Sequence, residues 1–349
     1  MSRVTRRAAL WALMAVAGCL VGGCDRGPRE ANVPPPGGGG GTPTPKVRVV
    51  MIPKKKGVPY FTSCAEGAKQ AAEELGVELI YDGPTDGSAE KAAAMIERWT
   101  AQGVDVIAVS PNDPNVLAPA MRAARQKGVR VITWDADGEA DAREFMVNQA
   151  TSREIGFALV DTMVRDLGGK EQAKGDVAIV TATLTAANQN EWIAFMKERL
   201  EAYPELRLVE IKPSNEDQRL AFQVTKDLIA AYPDLRGIWG ISSVSFPAAA
   251  EAVKQAGKSG KVLVTGLSTP NDMKAAVKEG TVKSVVLWNT KDLGYLTVQA
   301  AKALIDGRLK PGNATLDAGR LGPKVIEGDR ILLGDILVFT KDNIDQFDF

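Results

Sequence analysis

From Val47 onward, short β-branched apolar runs alternate with longer amphipathic stretches. The apolar runs are Val47–Ile52, Val77–Tyr81, Val104–Val109, Val129–Trp134, Val177–Thr181, Leu206–Ile211, Gly237–Ile241, Val262–Leu267 and Val282–Trp288. Between them, apolar residues recur at helical spacing over Phe61–Leu75, Ala89–Gln102, Asn115–Lys127, Ser152–Leu167, Gln189–Ala202, Gln218–Tyr232 and Asp292–Asp306. Strands that are apolar on both faces belong to parallel sheets covered by helices on each side. The pattern therefore predicts an α/β protein. The four runs before about residue 150 and the five after it predict two similar doubly wound parallel-sheet lobes joined by a multi-strand hinge. The expected boundaries are 47–149 plus about 290–318 for the first lobe and 150–289 plus about 319–349 for the second, with Ile331–Phe349 crossing between them.

Punctuation supports the helix ends. Gly76, Gly103 and Gly128 each stand where a left-handed cap hands a helix over to a strand. In the second half, Ala202-Tyr203-Pro204 and Ala231-Tyr232-Pro233 repeat one stop signal in which proline ends the helix.

Upstream of Val47 the pattern is different. Residues 1–23 carry Arg3, Arg6 and Arg7, then an apolar run from Ala8 to Val21 and small residues before Cys24. This is the layout of an exported signal peptide, too short in its apolar run to span a membrane and stay. Val21-Gly22-Gly23-Cys24 matches the site at which a cysteine thiol takes a diacylglycerol, and Val16-Ala17-Gly18-Cys19 is the alternative. Cys24 is preferred because Asp25 and Arg26 follow it, whereas Cys19 would leave Leu20 and Val21 on the mature end. Residues 24–46, with Pro34–Pro36 and Gly37–Gly41, have almost nothing to bury and are expected to be a solvated tether. The expected location is the periplasm or the outer face of the cytoplasmic membrane, held there by lipid.

Composition removes several chemistries. Lys and Arg number 43, as do Asp and Glu. Loss of residues 1–23 removes three arginines and leaves a slight acidic excess, which gives no reason to expect a nucleic-acid partner. There is no histidine, so a Ser-His-Asp triad, a Cys-His pair and a His-ligated zinc are all excluded. Cys64 is the sole cysteine downstream of Cys24, so the folded part has no internal disulfide and the thiol reads as a small core residue. No G-x-G-x-x-G follows the first strand, where Pro53-Lys54-Lys55-Lys56-Gly57 stands, and no Walker A sequence occurs. An enzyme is not expected, nor a cofactor or bound metal, and a monomer is.

In open parallel sheets, ligands bind beyond the carboxyl ends of the strands. The residues at those exits are Lys54, Asp135, Asn188, Gln189, Ser242, Ser243, Ser268 and Asn289, and the aromatics Tyr60, Phe61, Trp134, Trp192, Trp239 and Trp288 stand near them. Amides, hydroxyls, one acid and one base, with aromatic faces beside them, suit a polyhydroxylated ligand better than a phosphate. Lys54, Phe61, Asp135, Asn188, Gln189, Ser242, Ser243, Ser268, Trp288 and Asn289 are therefore the candidate ligand-binding residues. Several have a plainer reading: a solvated lysine for Lys54, a helix N-cap or turn acid for Asp135, a helix cap for the Asn188-Gln189 pair, and core packing for most tryptophans.

Read in order, these segments resemble the periplasmic sugar-binding proteins of ABC importers (type I periplasmic binding fold), in the branch of the autoinducer-2 receptor and the rhamnose-binding proteins. The resemblance covers nearly all of Val47–Phe349. It is carried by Ile52-Pro53-Lys54, Tyr81-Asp82-Gly83-Pro84-Thr85, Thr133-Trp134-Asp135, Asn188-Gln189-Asn190-Glu191-Trp192, Phe246-Pro247-Ala248-Ala249-Ala250, Gly266-Leu267-Ser268-Thr269-Pro270-Asn271 and the tail from Lys341. It implies a small sugar as ligand, membrane permease subunits as partners, and ligand contacts from Lys54, Asp135 and Gln189. Asn188 stands where the receptor has aspartate, and Ile241 and Ser243 where it has proline and alanine. Those departures point away from autoinducer-2 and toward a neutral sugar such as rhamnose. A sensing subunit for a membrane kinase or chemoreceptor is the alternative role.

Overall fold

The computed structural model describes residues 46–349. Cys19, Cys24, the signal segment and residues 24–45 of the tether lie outside the described residues.

The first lobe opens with β1 (Arg48–Ile52), α1 (Pro59–Leu75), β2 (Glu78–Tyr81), α2 (Ala89–Ala101), β3 (Val106–Val109), α3 (Pro114–Gln126), β4 (Arg130–Trp134) and β5 (Phe145–Asn148). The chain then builds the second lobe from α4 (Ser152–Leu167), β6 (Gly175–Thr181), α5 (Ala187–Leu200), β7 (Leu206–Pro213), α6 (Gln218–Ala231), β8 (Leu235–Gly240), α7 (Ser245–Gln255), β9 (Leu263–Gly266), α8 (Pro270–Glu279) and β10 (Ser284–Leu287). It returns to the first lobe with α9 (Thr290–Ile305), β11 (Thr315–Asp317), β12 (Pro323–Glu327) and β13 (Arg330–Leu332), and ends in the second with β14 (Leu337–Thr340).

The parallel part of the first sheet has the order β2-β1-β3-β4-β5, extended through β13, β12 and β11. The second sheet repeats that order as β7-β6-β8-β9. A single parallel bridge from Leu267 to Val286 carries it on to β10, against which β14 runs antiparallel. Both lobes are thus doubly wound, as the alternating runs predicted. The expected lobe boundary at 319 is corrected by the pairing. β12 and β13 extend the first sheet, with β13 parallel to β5, so the last crossing lies between Leu332 and Leu337. The short 315–332 strands escape periodicity analysis because each is only three to five residues long and only Leu316, Ile326 and Ile331 are buried.

Alternation along β1 shows how the layers fill. Val50 and Ile52 pack with Ile96, Leu117 and Met121 on the face covered by α2 and α3. Val49 and Met51 join the opposite core, which runs continuously through Trp134 and Trp288 to Val177 and Ile238 of the second lobe. The two prolines predicted to stop helices do so: α5 ends at Leu200 and α6 at Ala231. On the hinge side, α1 and α9 cross with their backbones in contact. A Cβ at Gly294 would stand 1.7 Å from the Cys64 carbonyl oxygen, and one at Gly67 the same distance from that of Lys291. Cys64 is fully buried there, and burial raises its thiol pKa well above the ordinary range, which suits a packing residue.

Candidate functional site

A cavity of about 360 Å³ lies between the lobes at the carboxyl ends of their strands. The first lobe contributes Lys54 and Lys55 from the exit of β1, Tyr60 and Phe61 from the start of α1, and Asp135 from the exit of β4. Across from them stand Asn188, Gln189 and Trp192 of α5, Asn215 and Glu216 beyond β7, and Ile241 to Ser243 beyond β8. Leu287 and Trp288 close the hinge end.

Asp135 is the most heavily organised of these side chains. It is 4 % exposed, its Oδ1 accepts from the Tyr60 hydroxyl at 2.8 Å and its Oδ2 from Ser110 Oγ at 2.8 Å. Gln149 donates to its backbone oxygen at 3.0 Å, and the Lys54 ammonium lies 3.4 Å from Oδ2. A buried carboxylate is tolerated only with donors of this kind around it. Behind it, Trp288 Nε1 donates to the Tyr60 oxygen at 3.0 Å, so one chain of bonds runs from the hinge to the carboxylate. Burial, reinforced by Asp135, holds the Tyr60 phenol well above its ordinary pKa. It therefore stays a donor.

The second lobe presents amides. Gln189 Oε1 accepts from the Ala182 amide at 2.8 Å and also from the Thr181 hydroxyl, which fixes the side chain and leaves its NH₂ toward the cavity. Neither Asn188 nor Gln189 caps α5, whose N-cap is Ala186 without a side-chain bond. Instead Asn188 Oδ1 accepts from Lys54 Nζ at 3.1 Å, across the cleft. A second cross-lobe bond runs from Lys55 Nζ to the Glu216 carbonyl oxygen at 3.1 Å.

Among the described residues, those other than glycine with positive φ are Asp135, Asn215 and Glu216, at 64°, 52° and 52°. All three line this cavity. Such backbone costs on the order of 1–3 kcal/mol per residue and persists where surrounding structure imposes it, which is common at binding sites.

Eight of the ten sequence candidates line the cavity: Lys54, Phe61, Asp135, Asn188, Gln189, Ser242, Ser243 and Trp288. Ser268 and Asn289 do not. Ser268 is fully buried beside α8, with Asp272 as its side-chain partner, and Asn289 caps α9 by accepting from the Asp292 amide. Both strand exits feed directly into helix starts: Asn289 is itself the N-cap of α9, while Ser268 precedes the α8 cap Thr269 and turns its hydroxyl to the Asp272 carboxylate, so neither side chain reaches the ligand space. Trp134 and Trp239 are core residues, donating to the carbonyls of Ala108 and Leu159. Trp288 is also almost wholly buried, yet it lies edge to face with Tyr60 and near Trp192 at the cavity floor.

Glu216 was missed, and Tyr60, named among the aromatics near the strand exits, was not included among the ligand-binding candidates. Tyr60 stands just before the helix expected from Phe61, and its role becomes visible when the fold brings Asp135 to its hydroxyl. Glu216 follows a strand expected to stop at Ile211 but continuing to Pro213, which moves the exit to the Ser214–Glu216 turn. The signal was the polar run directly after that strand.

Residues 49–309 match the family model described as a periplasmic binding protein domain. The chain belongs to the periplasmic binding protein family. A solved solute-binding protein from Clostridium phytofermentas, with L-rhamnose bound, is 31% identical with a TM-score of 0.80, covering 86% of this chain and 98% of that one. LsrB from Clostridium saccharobutylicum, in complex with AI-2, is 26% identical with a TM-score of 0.81, covering 87% and 100%. The ribose import binding protein RbsB of Haemophilus influenzae is 27% identical over 255 residues, 71% of this chain and 82% of that protein. Among the described residues of this family member, no helix is long and apolar enough to cross a membrane, and no cluster of three or more candidate ligating side chains could hold a metal ion.

Proposed function

We propose that this family member is the lipid-anchored substrate-binding component of an ABC importer, which captures a small neutral sugar, rhamnose or a related deoxyhexose, in the interlobe cavity and delivers it to membrane permease subunits. The observation that carries this reading is the division of labour across the cleft. A buried Asp135, each of whose oxygens accepts one short bond from the protein and keeps acceptor capacity for a ligand, stands with Lys54 and aromatic edges on one wall, and Asn188 and Gln189 stand on the other. Carboxylate and amide pairs take adjacent hydroxyls in paired hydrogen bonds, and apolar edges take the C–H faces of the ring. The volume suits a monosaccharide, and relatives that bind or import L-rhamnose and ribose support the class.

Because each wall supplies part of the contact set, the closed arrangement alone satisfies the whole ligand, and binding shifts the open–closed population by that difference. A micromolar dissociation constant corresponds to about 8 kcal/mol. Several hydrogen bonds to charged groups at roughly 1.5–3 kcal/mol each supply that amount. The amide at Asn188, in place of a second carboxylate beside Lys54, favours an uncharged sugar over an autoinducer-2-type ligand. A thermal-shift screen of monosaccharides, deoxysugars, polyols and autoinducer-2 tests the ligand class. Stabilisation by neutral sugars, led by L-rhamnose, is the expected result, and stabilisation by none of them removes the reading. Uptake reconstituted with the neighbouring permease tests the transport role, and the ligand should be recovered chemically unchanged.

A further inference from the structure

Glu216 stands at the centre of a turn that the fold holds in place. It and Asn215 are consecutive left-handed residues. The turn is pinned by the Asn215 amide donating to the Ala182 carbonyl at 2.6 Å and the Asp217 amide to the Ser214 carbonyl at 2.9 Å. Lys55 reaches across the cleft to this residue but bonds its backbone oxygen, so that bond does not consume the carboxylate. Glu216 is half-buried, and desolvation pushes its carboxyl above the ordinary carboxylate range against the opposing pull of Lys54, Lys55 and the Ser242 hydroxyl. Asp135 lies on the far wall and adds to the upward push. Around the cavity, Lys54 and Lys55 are matched against Asp135 and Glu216 inside and Asp86, Glu90 and Asp113 at the first lobe's edge. Asp86 at the edge is already ion-paired with Lys91, and inside the cavity both ammonium groups are engaged, Lys54 by Asn188 and Asp135 and Lys55 by the Glu216 carbonyl oxygen.

We propose that Glu216 is a specificity-determining residue of this cavity: it supplies a second acceptor, from the lobe opposite Asp135, for a hydroxyl pair of an uncharged sugar, and it rejects sugars that carry a carboxylate of their own. The assignment rests on the sugar-binding reading and adds to it the residue that enforces neutrality. An acid placed among lysines and facing an acid on the other wall accepts hydroxyl donors well, whereas an incoming carboxylate would meet like charge on both sides and no free ammonium group to offset it. Strained backbone at the residue that delivers the group fits a position held for recognition rather than for the turn itself.

Calorimetric titration of the wild-type protein, Glu216→Gln and Glu216→Asp tests the assignment, with L-rhamnose, D-ribose, D-arabinose and D-glucose as neutral probes and D-galacturonate as the acidic one. The tightest neutral sugar should bind Glu216→Gln at least tenfold more weakly, while the ratio of neutral-sugar to galacturonate affinity falls by more than that weakening alone. Glu216→Asp, which keeps the charge, should keep the rejection of galacturonate. Melting temperatures close to wild type show that both variants fold. Unchanged neutral-sugar affinity in Glu216→Gln would overturn the assignment, as would equal weakening toward every probe, the signature of a purely structural turn. Absence of binding by the wild-type protein to all the neutral sugars would remove the sugar-binding reading itself, and this assignment with it.

Discussion

Lys54 and Asn188 come from opposite lobes, and the Lys54 ammonium donates to Asn188 Oδ1 at 3.1 Å while lying 3.4 Å from Asp135 Oδ2. One side chain thus belongs to the ligand cavity and to a bridge that holds the cleft shut. A partly buried bond to a charged donor contributes about 1.5–3 kcal/mol, enough to change an open–closed ratio roughly tenfold or more. Lys54→Met should therefore shift the ligand-free protein toward the open form, seen in small-angle scattering as a larger radius of gyration. Superimposable scattering curves would show that the bridge does not govern closure.

The Tyr60 phenol predicts an alkaline effect. An ordinary tyrosine titrates near pH 10, and burial together with Asp135 raises Tyr60 above that value in the folded state. Below about pH 10 both states keep the proton and the shift has no effect on stability. Above it the unfolded chain releases a proton that the folded one retains, so stability falls as pH rises toward the folded value. Tyr60→Phe lacks this contribution. It should be less stable by about 1–3 kcal/mol at pH 8, because Asp135 loses a donor, but its urea midpoint should fall less between pH 8 and pH 11 than that of wild type. Parallel declines would contradict the assignment of the shift to Tyr60.

Contact between the α1 and α9 backbones at Gly67 and Gly294 leaves no room for a methyl group. Gly294→Ala must push the helices apart, at a cost of about 3 kcal/mol or more. For a chain of this size that is a drop in thermal midpoint of roughly 5–10 °C. An unchanged midpoint would mean that the two helices separate freely.

The doubly wound lobes were legible because buried parallel strands are apolar on both faces, as Val106–Val109 and Val131–Ile132 show, and because Gly76, Gly103 and Gly128 end helices where a left-handed residue is required. β11 to β13 were not legible, since short edge strands bury too little to leave a periodic trace. In the site, Asp135 and Lys54 were found because a polar residue at a strand exit has a defined location. Ser268 and Asn289 shared that position but were diverted, Asn289 into the α9 cap and Ser268 into a bond with Asp272 of α8. Such a choice depends on the geometry of the following helix. Tyr60 is a contact between residues 75 positions apart, and no local pattern in α1 records it.

Whether Asp135 and its cleft hold the sugar is decided by isothermal titration of the wild-type protein and Asp135→Ala with L-rhamnose, the variant checked for unchanged far-ultraviolet circular dichroism. Wild-type protein should bind in the micromolar range and the variant at least about 30-fold more weakly, the equivalent of roughly 2 kcal/mol for removing a charged acceptor. Equal affinity in the two proteins, both folded, would contradict the claim that this cleft and this carboxylate hold the sugar.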